Sequence, residues 1–192
     1  APVPFYTPEI AEQVQATILE PLVKVMAERG APFAGCLFAG LMLTPSGPKV
    51  VEFNARFGDP EAEVVLPLLK SDLLEALVAC AEGRLDQVAI EFWSASCACI
   101  MLASGGYPGP YEKGLSIEGL AEADDRGVTV FHAGTWVAED GEIVTNGGRV
   151  VGVMAGGPDL ESALERAYWG VDAVSFLGKT YRRDIGWQAL QK

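Results

Sequence analysis

Apolar positions change their spacing several times along the chain, and each change marks an element. Ile10, Val14, Ile18, Leu22 and Val25 recur at helical intervals behind Thr7-Pro8, a capping hydroxyl followed by a proline at the first helical position. Gly30 ends that run, and Pro21 inside it predicts a kink or a split. Phe33 to Thr44 reads as a buried strand, Pro45-Ser46-Gly47-Pro48 as a turn, and Lys49 to Phe53 as the returning strand of a hairpin. Ala62 to Leu69 and Asp72 to Glu82 read as helices. Asp72 and Glu75 suit a capping box, and Gly83 is the stop.

The texture shifts near Val88. Ser94 to Ser104, Val128 to Val137, Glu142 to Thr145 and Arg149 to Ala155 read as strands, with Asp140-Gly141 as a hairpin turn. Gly105 to Pro110 is an irregular loop. Asp159 to Phe176 is one long helix, with Leu160, Leu164, Ala167, Val171 and Val174 on a single stripe. The expected class is α+β, with a boundary near Gln87. Residues 1–87 form a mixed part, and residues 88–192 form a small β-rich domain carrying one long helix.

Composition narrows the function classes. The chain has 192 residues, 49% of them hydrophobic, which fits a globular fold and excludes disorder. Lys and Arg total 14 against 26 Asp and Glu, a net charge of -12. Phosphate backbones repel such a chain, so no nucleic-acid partner is expected. A local cluster of donors can still hold a nucleotide. No apolar run reaches the ~20 residues of a membrane span, and no basic segment leads into an apolar core at the start, so a cytoplasmic protein with no membrane partner is expected. Cys36, Cys80, Cys97 and Cys99 lie in apolar surroundings and read as free thiols. The chain begins at Ala1, and a processed or truncated start is expected.

The segment from Val50 to Glu61 carries the chemistry. In an extended chain Glu52, Asn54 and Arg56 project to one face, and Val51 and Phe53 project to the other as core anchors. Carboxylate and amide oxygens are hard ligands suited to Mg²⁺, and an Arg fork matches a phosphate. Together they suit phosphoryl transfer. The same pattern also fits a solvated strand edge with a surface Glu–Arg pair. Asn146-Gly147-Gly148-Arg149 is equally readable as a backbone nest for a phosphate or as a two-glycine turn. His132 is the single histidine and reads as structural, because no nucleophile is evidently paired with it. Lys113 and Arg182-Arg183 read as surface charge.

Glu52-Phe53-Asn54-Ala55-Arg56-Phe57-Gly58-Asp59-Pro60-Glu61, preceded by Ala39-Gly40-Leu41-Met42, resembles the glycinamide ribonucleotide synthetase family of ATP-grasp ligases. The resemblance continues in order through Gly106-Tyr107-Pro108-Gly109, Phe131-His132-Ala133-Gly134-Thr135, Asn146 to Val150, and Tyr181 to Gly186. Biotin carboxylase has a similar Glu-x-Asn-x-Arg strand but continues differently after it.

The resemblance implies the C-terminal part of an ATP-grasp domain followed by the family's small C-terminal domain. It implies an enzyme that uses ATP to join glycine to 5-phosphoribosylamine through an acyl phosphate, in purine biosynthesis. Glu52 and Asn54 then match the family's ligands for Mg²⁺, with Mn²⁺ as the alternative metal, and Arg56 matches a catalytic residue at the transferring phosphate. Leu41 and Leu43 are the candidates for nucleotide contact, and Gly147, Gly148 and Arg149 for the phosphate of phosphoribosylamine. Family members carry a Rossmann-like domain and an ATP lid ahead of this segment, so the chain is expected to need that N-terminal part for turnover. The competing expectations are another ATP-grasp carboxylate–amine ligase, or a non-catalytic acidic binding module.

Overall fold

A computed structural model describes residues 1–191. The chain divides into two compact units. One comprises Val3–Ala62 and Leu69–Trp93, and the other Ala1–Pro2, Glu63–Leu68 and the chain from Ser94 onward.

In the first unit, Thr7 caps helix α1 (Pro8–Val14), its side chain accepting from the Ile10 N–H at 3.4 Å. The helix widens into a π turn over Gln15–Leu19 and resumes as α2 (Glu20–Glu28). Pro21 lies in the first turn of α2, the one place where a missing N–H costs nothing, so the expected break is a change of helix type. Gly30 adopts φ +76° just past the end of α2. Strands β1 (Phe38–Thr44) and β2 (Gly47–Asn54) form an antiparallel hairpin with a bulge between Gly40 and Leu41. Helix α3 (Ala62–Val65) and the 3₁₀ turn at Leu66–Leu68 belong, from Glu63 on, to the second unit. Helix α4 (Leu73–Ala81) is capped by Asp72, whose carboxylate accepts from the Glu75 N–H at 3.0 Å.

Val51 and Phe53 are not core anchors. They are 67% and 39% exposed. The hairpin has only two strands, and two strands alone cannot bury a face.

The second unit is built on a three-stranded antiparallel sheet in the order β3 (Ser96–Ala103), β7 (Arg149–Gly157), β4 (Thr129–His132). The central strand β7 is buried from Val150 to Ala155, as expected of a strand covered on both faces. Helix α6 (Leu160–Val171) is capped by Asp159 and turns Leu164, Ala167 and Val171 onto Ile100, Leu102 and Val153. Each of these leucine, isoleucine and valine side chains, fully buried, contributes about 1.5–3 kcal/mol. Met154 joins Cys97 and Leu68 in a second, smaller cluster.

Helix α6 stops at Val171 instead of Phe176, and the Lys179 ammonium donates to the carbonyls of Val171 and Val174 at 3.0 and 2.6 Å. Burial holds that ammonium below its usual pKa. The sequence pattern from Val128 to Val137 is split at Ala133-Gly134 into β4 and β5 (Thr135–Val137), and β5 pairs with β6 (Ile143–Thr145) in a separate hairpin. Helix α5 (Leu120–Asp125) was not legible in the sequence. The short helix α7 (Trp187–Leu190) closes the described chain. The Tyr168 hydroxyl donates to the Arg182 carbonyl at 2.9 Å and accepts from the Ile185 N–H at 3.1 Å, which fastens the C-terminal segment to α6. Among the described residues no disulfide joins the four cysteines, and no helix is long and apolar enough to cross a membrane.

Candidate functional site

Glu52 and Asn54 are the last alternating pair of β2, and the Asn54 amide donates to Glu52 Oε1 at 3.1 Å. The contact places both side chains together on one face, as strand alternation requires. Across the hairpin, Gly40 pairs with Glu52 and Phe38 with Asn54. Glu52 is exposed and Asn54 half-buried, so the second carboxylate oxygen and the amide oxygen remain acceptors beside each other.

Hard oxygen donors of this kind suit Mg²⁺, which takes one or two protein ligands and completes its shell with phosphates and water. Among the described residues no group of three or more His, Cys, Asp or Glu side chains is arranged to hold a metal.

Arg56 departs from the expected alternation. β2 ends at Asn54, and Ala55 and Arg56 lie in a bend, where the period of two no longer applies. The Arg56 guanidinium donates to the Phe57 carbonyl at 2.7 Å and is exposed. Leu41 and Leu43 pair with Val50 and Pro48 on the far side of the bulge, so their face cannot be carried over from Glu52 by counting. Leu41 is half-buried and Leu43 exposed.

Gly147, Gly148 and Arg149 form a tight assembly in the second unit. The residues Asn146–Gly148 carry the chain out of the β5–β6 hairpin and into β7, so they are a crossing between sheets and not a hairpin turn. The Ser104 hydroxyl donates to the Gly147 carbonyl at 2.8 Å, and the Ser104 N–H donates to the Gly148 carbonyl at 2.8 Å. Gly134 donates to the Arg149 carbonyl at 2.9 Å and accepts from the Asn146 N–H at 2.7 Å. A Cβ on Gly134 would stand 2.6 Å from Gly147 Cα, and one on Gly148 would overlap the Tyr107 ring. Glycine at these positions therefore lets three backbone segments touch.

Tyr107 and Gly134 stand in the sequence only within the motifs of the resemblance, and Ser104 only as a strand end; none was assigned a part in this crossing. A glycine interrupting a strand pattern, as at Gly134, was the available signal of close backbone approach.

The His132 Nδ1 lies 3.1 Å from Thr135 Oγ1. A hydroxyl partner orients the ring, but the arrangement is not that of a histidine set up by a carboxylate as a general base. Lys113 is exposed, and Arg182 makes a two-pronged pair with Asp184 at 2.9 and 2.7 Å.

Comparison with known proteins gives this arrangement its context. Residues 1–62 match the model described as "Phosphoribosylglycinamide synthetase, ATP-grasp (A) domain", and residues 97–188 the model described as "Phosphoribosylglycinamide synthetase, C domain". The chain belongs to the phosphoribosylglycinamide synthetase family.

It is 50% identical over 191 residues to the phosphoribosylamine–glycine ligase of Synechocystis sp., covering 98% of this chain and 45% of that protein. It is 47% identical over 196 residues to the chloroplastic phosphoribosylamine–glycine ligase of Arabidopsis thaliana, covering 100% of this chain and 37% of the relative. The crystal structure of phosphoribosylamine–glycine ligase from Thermotoga maritima matches with a TM-score of 0.78 at 33% identity, over 96% of this chain and 44% of that one. The chain thus spans somewhat under half the length of these relatives. Glu52, Asn54 and Arg56 fall inside the ATP-grasp match, and Gly147 to Arg149 inside the C-domain match.

Proposed function

We propose that this chain is the C-terminal part of an ATP-dependent phosphoribosylamine–glycine ligase of purine biosynthesis, acting in the cytoplasm. In this reading residues 1–87 end the ATP-grasp domain and residues 88–192 form the C-terminal domain. The observation that carries the proposal is the Glu52–Asn54 pair: two hard oxygen ligands side by side at a strand end, within a segment of ATP-grasp descent.

Glu52 and Asn54 would hold a divalent ion, Mg²⁺ by preference, and such an ion would supply positive charge to offset that of the phosphates during transfer. Arg56, exposed and held by one backbone carbonyl, gives up that bond to take an oxygen of the migrating phosphoryl group. The glycine carboxylate attacks the γ-phosphorus and ADP leaves, forming an acyl phosphate. The amine of 5-phosphoribosylamine then attacks the acyl carbon, loses a proton and expels inorganic phosphate. Leu41 and Leu43 supply apolar surface near the nucleotide. Arg149, with the backbone of Gly147 and Gly148, holds the 5-phosphate, a local positive site in a chain of net charge -12.

The test is ADP release by the full-length enzyme with glycine, phosphoribosylamine and Mg²⁺ each omitted in turn. The reading requires that all three be needed. Activity with another carboxylate in place of glycine would reassign the chain to a different ATP-grasp ligase. ATP turnover that ignores Glu52→Gln would overturn the site.

A further inference from the structure

Ser104 lies at the end of β3, only 1% exposed, and each of its polar groups is engaged. Its hydroxyl takes the Gly147 carbonyl and its N–H takes the Gly148 carbonyl, both at 2.8 Å. Its own carbonyl accepts from the Tyr107 N–H at 3.1 Å, which anchors the loop whose Tyr107 ring lies against Gly148. One side chain and its backbone therefore grip two successive peptide groups of the Asn146–Arg149 crossing.

The consequence follows from peptide geometry. In a trans peptide the C=O and the following N–H point in opposite directions. The cis bonds of the described chain are all at prolines and none is in this crossing. With the carbonyls of Gly147 and Gly148 both turned onto Ser104, the N–H groups of Gly148 and Arg149 are both directed away from it. Two consecutive N–H groups on one side form a concavity that favours an anion. The Arg149 Cα leaves from the same turn.

We infer that Ser104 is a positioning residue for the substrate phosphate: by holding the Gly147 and Gly148 carbonyls inward, it aims the Gly148 and Arg149 amides and sets the origin of the Arg149 side chain. The inference rests on the reading of Arg149 as the phosphate ligand. It adds a residue that does not touch the substrate and was not visible in the sequence.

The experiment compares Ser104→Ala, Ser104→Cys and Arg149→Ala in the full-length ligase. It measures KM for phosphoribosylamine, glycine and ATP, and inhibition by ribose 5-phosphate, a stable probe carrying the same phosphate. Ser104→Ala is expected to raise KM for phosphoribosylamine about tenfold and to weaken ribose 5-phosphate to the same degree. The KM values for ATP and glycine and the kcat should stay within about twofold. Ser104→Cys keeps the shape with a weaker donor and should fall between wild type and Ala.

If Ser104→Ala lowers only thermal stability, or shifts all three KM values together, Ser104 is merely structural and the inference fails. Should Ser104→Ala not fold, Ser104→Cys against wild type decides by the same criterion. Arg149→Ala separates the two levels. If Arg149→Ala is selective for the phosphate and the Ser104 variants are not, only the Ser104 inference falls. If Arg149→Ala is not selective, the phosphate site falls with it.

Discussion

Gly40 pairs with Glu52 across the β1–β2 hairpin, and a Cβ on Gly40 would stand 3.2 Å from Glu52 Cγ. The glycine leaves the carboxylate room to stand upright beside Asn54. Gly40→Ala crowds a flexible side chain and not the backbone, so the fold should survive while Glu52 tilts. In the full-length enzyme the expected outcome is a Mg²⁺ requirement raised several-fold, with the melting temperature nearly unchanged. A Mg²⁺ titration of ligase rate checks this. A lowered melting temperature with normal Mg²⁺ dependence would mean that the glycine serves packing alone.

Glu52→Gln keeps size and removes the charge at the proposed metal site. The expected result is a kcat lower by a few orders of magnitude, since metal and Arg carry most of the charge stabilisation in phosphoryl transfer. Stability should barely move, because Glu52 is exposed. Steady-state rates at saturating Mg²⁺, with a thermal melt alongside, separate the two effects.

Arg56→Lys should also be severe. A lysine supplies charge without the planar fork that meets two oxygens of a phosphoryl group. The native contact is with one exposed carbonyl only, so thermal stability should be unaffected. A loss of kcat exceeding 10-fold is expected in single-turnover rates; equal rates for Lys and Arg would remove the residue from the site.

Gly148→Ala places a methyl group in the Tyr107 ring. Overpacking of this kind costs about 1–3 kcal/mol. The melting temperature should fall, and the double variant with Tyr107→Ala should recover part of the loss. Calorimetry of both variants checks the coupling, and strict additivity would show that the two residues do not share the space.

The Asp159 carboxylate caps α6 by accepting from the Ser162 N–H at 2.8 Å, and this bond holds its pKa below the usual carboxylate range. A group whose folded pKa is depressed stabilises the fold above its unfolded pKa and ceases to as pH falls through the folded value. Asp159→Ala should therefore lower the melting temperature at neutral pH. The gap from wild type should narrow steadily as the pH is taken below about 4. A gap that stays constant with pH would assign the cap to shape and not to charge.

What was legible in the sequence was local. The caps at Thr7 and Asp72 were readable because each acts within one turn of its own helix. Glu52 and Asn54 were readable as a pair because two residues in one strand share a face whatever surrounds them. The side on which Arg56 projects was not legible, because β2 ends at Asn54 and alternation does not extend two residues past it. The split of Val128 to Val137 was hidden because Gly134 is held by Asn146 and Arg149, partners twelve and fifteen positions away. α5 was hidden because six residues with three carboxylates offer too little apolar periodicity to detect. Ser104 takes its role from carbonyls more than forty positions away, a distance over which no residue pattern speaks.

The Tyr168 phenol bears further on how the end of the chain behaves. One oxygen serves both Arg182 and Ile185, donating to the first and accepting from the second. The two attachments therefore depend on a single oxygen, and Tyr168→Phe would remove both at once. Without that oxygen, residues 181–191 would be held to the domain through the packing of Tyr181 and Ile185 against its core.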